Sequence, residues 1–255
     1  MKTGASVDDF LWHPPPCELS LDANHVHVWL AALDPGAEAT ESLCEILSDD
    51  ERQRAARFRF QKDRDRFIVA RSTLRNILAR YLHSDPRRLR FEYGEHQKPF
   101  IESTRLRFNL SHSHRLALYG VALDKEIGID IEHIRADFAS LDIAERFFSP
   151  REVISLKSFP DCARTEAFFN CWTRKEAYIK VRGTGVSHGL ENFAVSLDEP
   201  ARLLSDLSDP QAVSRYSLFN LRPAQEYAGA VAVEGQGLSL KFWQYSQDIT
   251  APFSL

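Results

Sequence analysis

Three short stretches of this sequence carry side chains spaced to do chemistry. Gly128-Ile129-Asp130-Ile131-Glu132 alternates in character. As a strand it puts Asp130 and Glu132 on one face and the two isoleucines on the other. Neighbouring carboxylates repel one another unless a cation lies between them. A hard divalent ion such as Mg²⁺ accepts carboxylate oxygens and leaves its other positions to water or phosphate. Taken alone, the pattern also fits an exposed strand face with ordinary acids. The second stretch is Trp172-Thr173-Arg174-Lys175-Glu176-Ala177-Tyr178-Ile179-Lys180. On a helix, Trp172, Glu176 and Lys180 fall on one stripe. Glu176 could add a third carboxylate, and Lys180 could bind phosphate or move a proton. The same stripe also describes a surface Glu–Lys pair beside a core tryptophan. The third stretch, Asn109-Leu110-Ser111-His112-Ser113-His114, is expected at the turn after a strand. There Ser111 and His112 could hold a phosphate through a hydroxyl and an imidazole N–H. His112 and His114 lack the further ligands a zinc site needs. His25 and His27 read as strand surface, and no nucleophile-elbow glycine pattern surrounds a serine.

The rest of the chain limits what these residues can serve. Its 255 residues suit one large domain or two small ones, and 44% hydrophobic with 27% charged residues is an ordinary globular balance. No apolar run approaches the roughly 18–20 residues of a membrane span, so no membrane association is expected. The first residues carry Asp8 and Asp9 and lack a basic-then-apolar secretion signal. Four scattered cysteines, Cys17, Cys44, Cys162 and Cys171, read as reduced thiols of a cytoplasmic protein. The net charge is −4, but Arg52 to Arg90 holds thirteen Lys or Arg against three Asp, a local +10. Such a block points either to an anionic ligand or to a solvated helix face. It matches no nucleic-acid motif and is not interleaved with several exposed aromatics, so no nucleic-acid partner is expected.

Positioning these residues requires a particular series of elements. HVHVWL (25–30) reads as an early strand. Ser48 followed by three acids reads as a helix N-cap. Phe67, Ala70, Leu74, Ile77, Leu78 and Tyr81 mark a long helix over about 63–82. A strand pair is expected over 105–111 and 116–123, and a third strand over 128–132. Helices follow over 141–148 and 149–158, with Pro150 at a first helical position. A long helix over about 161–181 ends at Gly183 and Gly185. Strands recur at 193–197, 216–221, 227–233 and 238–245. Phe108-Asn109-Leu110 and Phe219-Asn220-Leu221 echo one another, each opening a hairpin after a long helix. That order suggests a duplicated half.

In combination, FNLSHS, then GIDIE, then WTRKEAYIK, with Gln97-Lys98-Pro99 upstream, resembles the motif series of the 4'-phosphopantetheinyl transferase superfamily. The length and two-half organisation resemble its surfactin-type (Sfp-type) branch. The resemblance covers roughly residues 48–197. It implies an α+β pseudo-dimer of two similar halves, 1–125 and 126–255, each a small antiparallel sheet packed on a long helix. The implied activity moves the phosphopantetheine arm of coenzyme A to a serine of an acyl or peptidyl carrier protein, releasing adenosine 3',5'-bisphosphate. Asp130, Glu132 and Glu176 would hold Mg²⁺. Glu176 or Lys180 would take the serine proton, directly or through water, and Lys175 would stabilise phosphoryl oxygens. Ser111, His112 and Lys98 would grip the adenosine 3'-phosphate end. Where family members use lysines for this phosphate, the chain reads Glu51-Arg52-Gln53-Arg54, so Arg54 is the first candidate and Arg66 the second. Asp130 and Lys180 would also contact coenzyme A.

The same resemblance places the carrier contact near residues 138–159, with Phe147, Phe148 and Leu156 as either apolar contacts or core. A monomer is expected. Two other readings fit the residues: a different Mg²⁺-dependent phosphate-ester enzyme, and a non-enzymatic module that binds an acidic partner through the basic block.

Overall fold

The computed structural model describes residues 12–34, 36–94, 97–185 and 189–246. Asp8 and Asp9 lie outside them. The first half opens with strand β1 (His25–Ala32), then helices α1 (Ala37–Cys44), α2 (Asp49–Ala56) and the long α3 (Gln61–Leu82). A short strand pair, β2 (Glu92–Tyr93) and β3 (Pro99–Phe100), leads to the hairpin β4 (Leu106–Ser113) and β5 (Leu116–Leu123). The second half runs β6 (Ile127–His133), α4 (Leu141–Phe147), α5 (Pro150–Ser158) and the long α6 (Asp161–Arg182). It continues through β7 (Phe193–Val195), β8 (Leu203–Asp206), α7 (Ala212–Arg215), the hairpin β9 (Tyr216–Leu221) and β10 (Tyr227–Glu234), and β11 (Ser239–Gln244).

The internal echo reflects a repeated topology. In the first half β1 pairs with β5 and β5 with β4. In the second, β6 pairs with β10 and β10 with β9. Each half is therefore a lone strand, a long helix and a hairpin whose second strand takes the centre of an antiparallel sheet. Apolar residues fill three layers. Trp29, Leu74, Ile77, Phe108 and Tyr119 join α3 to the first sheet. Phe168, Phe169, Tyr178, Ala228 and Ala230 join α6 to the second. Val28, Leu118, Ile127, Ile129, Ile131 and Val231 lie in a cluster shared by both sheets.

The chain departs from a clean division at residue 125. β11 returns to the first sheet and pairs parallel with β1, in register from His25 opposite Ser239 to Leu30 opposite Gln244. Its Trp243 packs against Trp29 and His27, so the C-terminal strand completes the N-terminal half. β8 and α1 were not legible as separate elements. No helix among the described residues is long and apolar enough to cross a membrane.

Candidate active site

The two sheets meet along β4 and β6, and side chains rather than a backbone ladder join them. Alternate residues of β4 reach across. Asn109 Oδ1 accepts the Ile129 N–H at 3.0 Å. Ser111 Oγ donates to Asp130 Oδ1 at 2.9 Å. Ser113 Oγ donates to Glu132 Oε2 at 2.8 Å and accepts the His133 N–H at 3.1 Å. The period of two in β4 matches the period of two in β6, so each serine meets one acid. Ser111 and Ser113 are thus bound to the carboxylates.

Helix α6 closes the site from the second half. It lies so near β6 that a methyl group at Gly128 would sit 2.1 Å from the Ala177 carbonyl oxygen and 2.4 Å from the Val181 nitrogen. Only glycine permits that approach, and it brings Lys180 onto the strand. Lys180 Nζ donates to Asp130 Oδ1 at 2.6 Å, Ser111 Oγ at 3.0 Å and the Ile129 carbonyl at 3.2 Å. Gly183, in the left-handed region at φ 65°, ends the helix one turn later.

The electrostatics of this junction are strained toward a cation. Burial, then the charge of Asp130, raises the Glu132 carboxyl above its ordinary range, although the Ser113 bond opposes the shift. Burial and the Asp130 charge also raise Glu176, and Glu132 adds to the effect. Asp130 is 3% exposed, and its Oδ2 is buried with no hydrogen-bond partner among the described residues. One ammonium, that of Lys180, lowers both glutamates. No group of three or more His, Cys, Asp or Glu among the described residues stands ready as a metal cage. The chemistry of the donors nonetheless suits a hard divalent ion: two glutamates raised by the Asp130 charge, and an orphaned oxygen on Asp130 itself.

A cleft of about 350 Å³ opens beside this junction, lined on the first half by Arg54, Phe58, Phe67, Lys98 and His112 and on the second by Lys180. His112 lies on β4 opposite Ala117, within the strand rather than on the turn. It is exposed and lines the cleft, yet loss of hydration, followed by the charges of Lys180 and Arg66, lowers its pKa. Arg66 carries two buried nitrogens, Nε and Nη2, without hydrogen-bond partners among the described residues, and its nearest acid oxygen, on Asp34, is 3.7 Å away. Arg54 reaches the cleft, whereas Lys98 Nζ is held by Glu126 Oε2 at 2.8 Å. Beneath the cleft, Glu51 accepts from both Arg71 and Arg75, a buried triad that single-residue reasoning did not find.

One expectation is corrected by burial, and one open alternative is narrowed. Lys175 does not reach the cleft. It is fully buried, and its Nζ donates to both Glu152 oxygens, at 2.7 and 2.6 Å, and to the Phe193 carbonyl at 2.7 Å. Glu152 also accepts the Ser149 N–H at the start of α5 and the Val195 N–H of β7. One residue round the helix from Glu176, Lys175 fastens α5 and β7 to α6. Lys175→Ala should therefore cost about 3–5 kcal/mol, because it strands the buried Glu152 carboxylate. Chemical denaturation should show the midpoint falling, with partial recovery in Lys175→Met/Glu152→Gln, whose neutral amide removes the stranded charge and keeps an oxygen for the Ser149 or Val195 N–H. Of the residues that read equally as carrier contact or core, Phe148 at 3% and Leu156 at 1% exposed are core, and Phe147 is half-buried against Trp172.

Comparison with known proteins agrees with this geometry. The family model described as the 4'-phosphopantetheinyl transferase superfamily matches residues 126–232. A second, described as 4'-phosphopantetheinyl transferase, N-terminal, matches residues 31–122. The chain is 41% identical over 241 residues to the 4'-phosphopantetheinyl transferase HetI of Nostoc sp. (strain PCC 7120), covering 92% of this chain and 98% of that one. It is 35% identical to 4'-phosphopantetheinyl transferase psf-1 of Bacillus pumilus, over 74% of this chain and 80% of that one. It is 30% identical to 4'-phosphopantetheinyl transferase Sfp of Bacillus subtilis (strain 168), over 76% of this chain and 86% of that one. The chain belongs to the 4'-phosphopantetheinyl transferase superfamily. Within it, the two halves in one chain and the span shared with Sfp and HetI place it in the Sfp-type branch.

Proposed function

We propose that this enzyme transfers the 4'-phosphopantetheine arm of coenzyme A to a serine of an acyl or peptidyl carrier protein, with Mg²⁺ as cofactor and a single chain as the working unit. The observation that carries the reading is the mutual interaction of Asp130, Glu132, Glu176 and Lys180, with Lys180 shared by a cleft that Arg54 and His112 also line. A carboxylate cluster suits a cation on the pyrophosphate, and a basic cleft suits the remaining phosphate of coenzyme A. Four cysteines without disulfides support a cytoplasmic setting.

In the proposed reaction the carrier serine Oγ attacks the β-phosphorus of coenzyme A. The bond from that phosphorus to the bridging oxygen breaks, and adenosine 3',5'-bisphosphate leaves. Asp130, Glu132 and Glu176 would hold Mg²⁺. When bound, the ion supplies positive charge to the pyrophosphate oxygens as the leaving phosphate gains charge. Glu176, with its raised pKa, is the candidate to take the serine proton, directly or through water; Lys180 donates to Asp130, Ser111 and the Ile129 carbonyl and would have to lose a proton first. Ser111 and Ser113 fix the orientations of Asp130 and Glu132, which would otherwise turn away from each other.

The adenosine 3'-phosphate is assigned to the first-half wall. His112 sits there with a lowered pKa, so an incoming phosphate would draw a proton or a hydrogen bond to it. Arg66, whose Nε and Nη2 lack hydrogen-bond partners among the described residues, and Arg54 would supply charge-assisted donors. Lys98, paired with Glu126, marks the neck of the cleft. A remote contact of this kind acts on binding more than on the chemical step. His112→Ala is therefore expected to raise KM for coenzyme A more than it lowers kcat. The variant should also lose the preference for coenzyme A over 3'-dephospho-coenzyme A. Steady-state kinetics with both substrates measures this, and an undiminished preference would remove His112 from the phosphate site.

A further inference from the structure

The basic block contains a surface that neither the cleft nor the fold accounts for. Residues 56–64 are exposed throughout and carry Arg57, Arg59, Lys62 and Arg64 against a single acid, Asp63. None of these four cations has an ion pair among the described residues. Phe60 stands out from the surface at 61% exposed, with the Arg59 guanidinium 5.4 Å from its ring centre. Phe58, 39% exposed, joins this rim to the cleft, where it packs against Phe67.

Local stability is sacrificed here. Phe60 occupies the N-cap of α3 and supplies no side-chain bond to the helix, where Ser, Thr, Asp or Asn would satisfy a free N–H. Lys62 and Arg64 flank Asp63 at the start of α3, so two cations, offset by one acid, meet the positive end of the helix dipole. Two local rules broken at one exposed site point to a function of the surface. Arginine beside an exposed aromatic is the composition of a protein interface.

We infer that the rim of Arg57, Arg59, Phe60, Lys62 and Arg64 is a docking surface for an acidic protein partner. Resting on the transferase reading, that partner is the carrier protein. Charge complementarity argues for it: an unpaired cationic rim attracts an acidic surface and speeds encounter. Phe60 offers that surface an apolar anchor. With Phe148 and Leu156 buried in the core, the rim supplies exposed aromatic area at the edge of the cleft.

The test uses the full chain, an acidic apo carrier domain as probe, and the variants Phe60→Ser and Arg57→Gln/Arg59→Gln/Arg64→Gln. Both should raise KM for the carrier about tenfold and leave kcat and KM for coenzyme A within about twofold. Phe60→Ser should at the same time raise Tm, since it restores a helix cap. The triple variant should also flatten the salt dependence of kcat/KM. A rise in KM for coenzyme A alone would assign the rim to the cofactor and overturn the inference. So would unchanged kinetics with a lower Tm for Phe60→Ser, which would make Phe60 a packing residue. Fluorescence anisotropy with labelled apo carrier, without coenzyme A or metal, separates this inference from the transferase reading. If wild type modifies no carrier but binds the domain through the rim, the transferase reading fails and the surface stands. If it binds no carrier at low salt, or binds a single-stranded oligonucleotide as well, the surface assignment fails.

Discussion

Asp130→Ala is expected to lower the rate of carrier modification by on the order of 10³-fold or more, with the fold intact. Asp130 is the hub of the seam. It accepts from Ser111 and from Lys180, and it keeps a second oxygen buried without a partner. Its loss frees the Lys180 ammonium and removes the charge that draws a cation between Glu132 and Glu176. The pyrophosphate would then enter a site with two carboxylates and no organising centre. Initial rates of holo-carrier formation by intact-protein mass spectrometry would measure the loss, and a thermal melt would check the fold. Glu132→Gln should do less harm, because Ser113 can still orient a neutral amide oxygen. Undiminished turnover by Asp130→Ala at ordinary Mg²⁺ concentration would contradict the site assignment.

Glu176→Gln is expected to move activity and stability in opposite directions. Burial, then the Asp130 charge, raises the Glu176 carboxyl above its ordinary value. A group raised in the folded state favours folding most below its unfolded pKa. That contribution is lost as pH rises through the folded pKa. At neutral pH the ionised glutamate therefore destabilises the native protein relative to acid conditions. Gln removes the like charge, so metal-free Glu176→Gln should melt higher than wild type at pH 7, with the gap closing as the pH falls. Added Mg²⁺ should raise the Tm of wild type and do little for the variant. Transfer should fall by about 10²-fold or more across the pH range, since both a cation ligand and a candidate base are lost. The pair of measurements is differential scanning calorimetry with and without Mg²⁺, and the pH profile of kcat/KM. A variant that melts lower than metal-free wild type at pH 7 would show that Glu176 is a structural residue.

Much of this site was legible because its chemistry follows strand and helix periods. Alternation alone put Asp130 and Glu132 on one face, and the structure adds that Ile129 and Ile131 lie in the buried cluster behind them. The stripe of Trp172, Glu176 and Lys180 could be read in the same way. Lys175 could not, because it adjoins Glu176 in sequence while its own partner, Glu152, lies 23 positions away. Period assigns a face, but only packing decides which face is wet. For the same reason Phe148 and Leu156 read equally as contact or core. Ser113 was passed over because its role needs a match between two strands that pair through side chains. The return of β11 to β1 was not legible from local pattern, since a parallel partner more than two hundred residues away leaves no short-range sign. The repeat of Phe-Asn-Leu marked the duplicated hairpins even though the two asparagines do different work: Asn109 holds Ile129 and Asn220 holds Arg174.

The central claim is group transfer from coenzyme A to a carrier serine. Its most direct test is intact-mass analysis of several apo carrier proteins, of fatty-acid, polyketide and nonribosomal-peptide type, incubated with the enzyme, coenzyme A and Mg²⁺. The expected result is a gain by at least one carrier of a single 4'-phosphopantetheinyl group, lost when its acceptor serine is replaced by alanine, with adenosine 3',5'-bisphosphate formed in equal amount. Release of phosphate or of free phosphopantetheine from coenzyme A, with no carrier gaining mass, would contradict it.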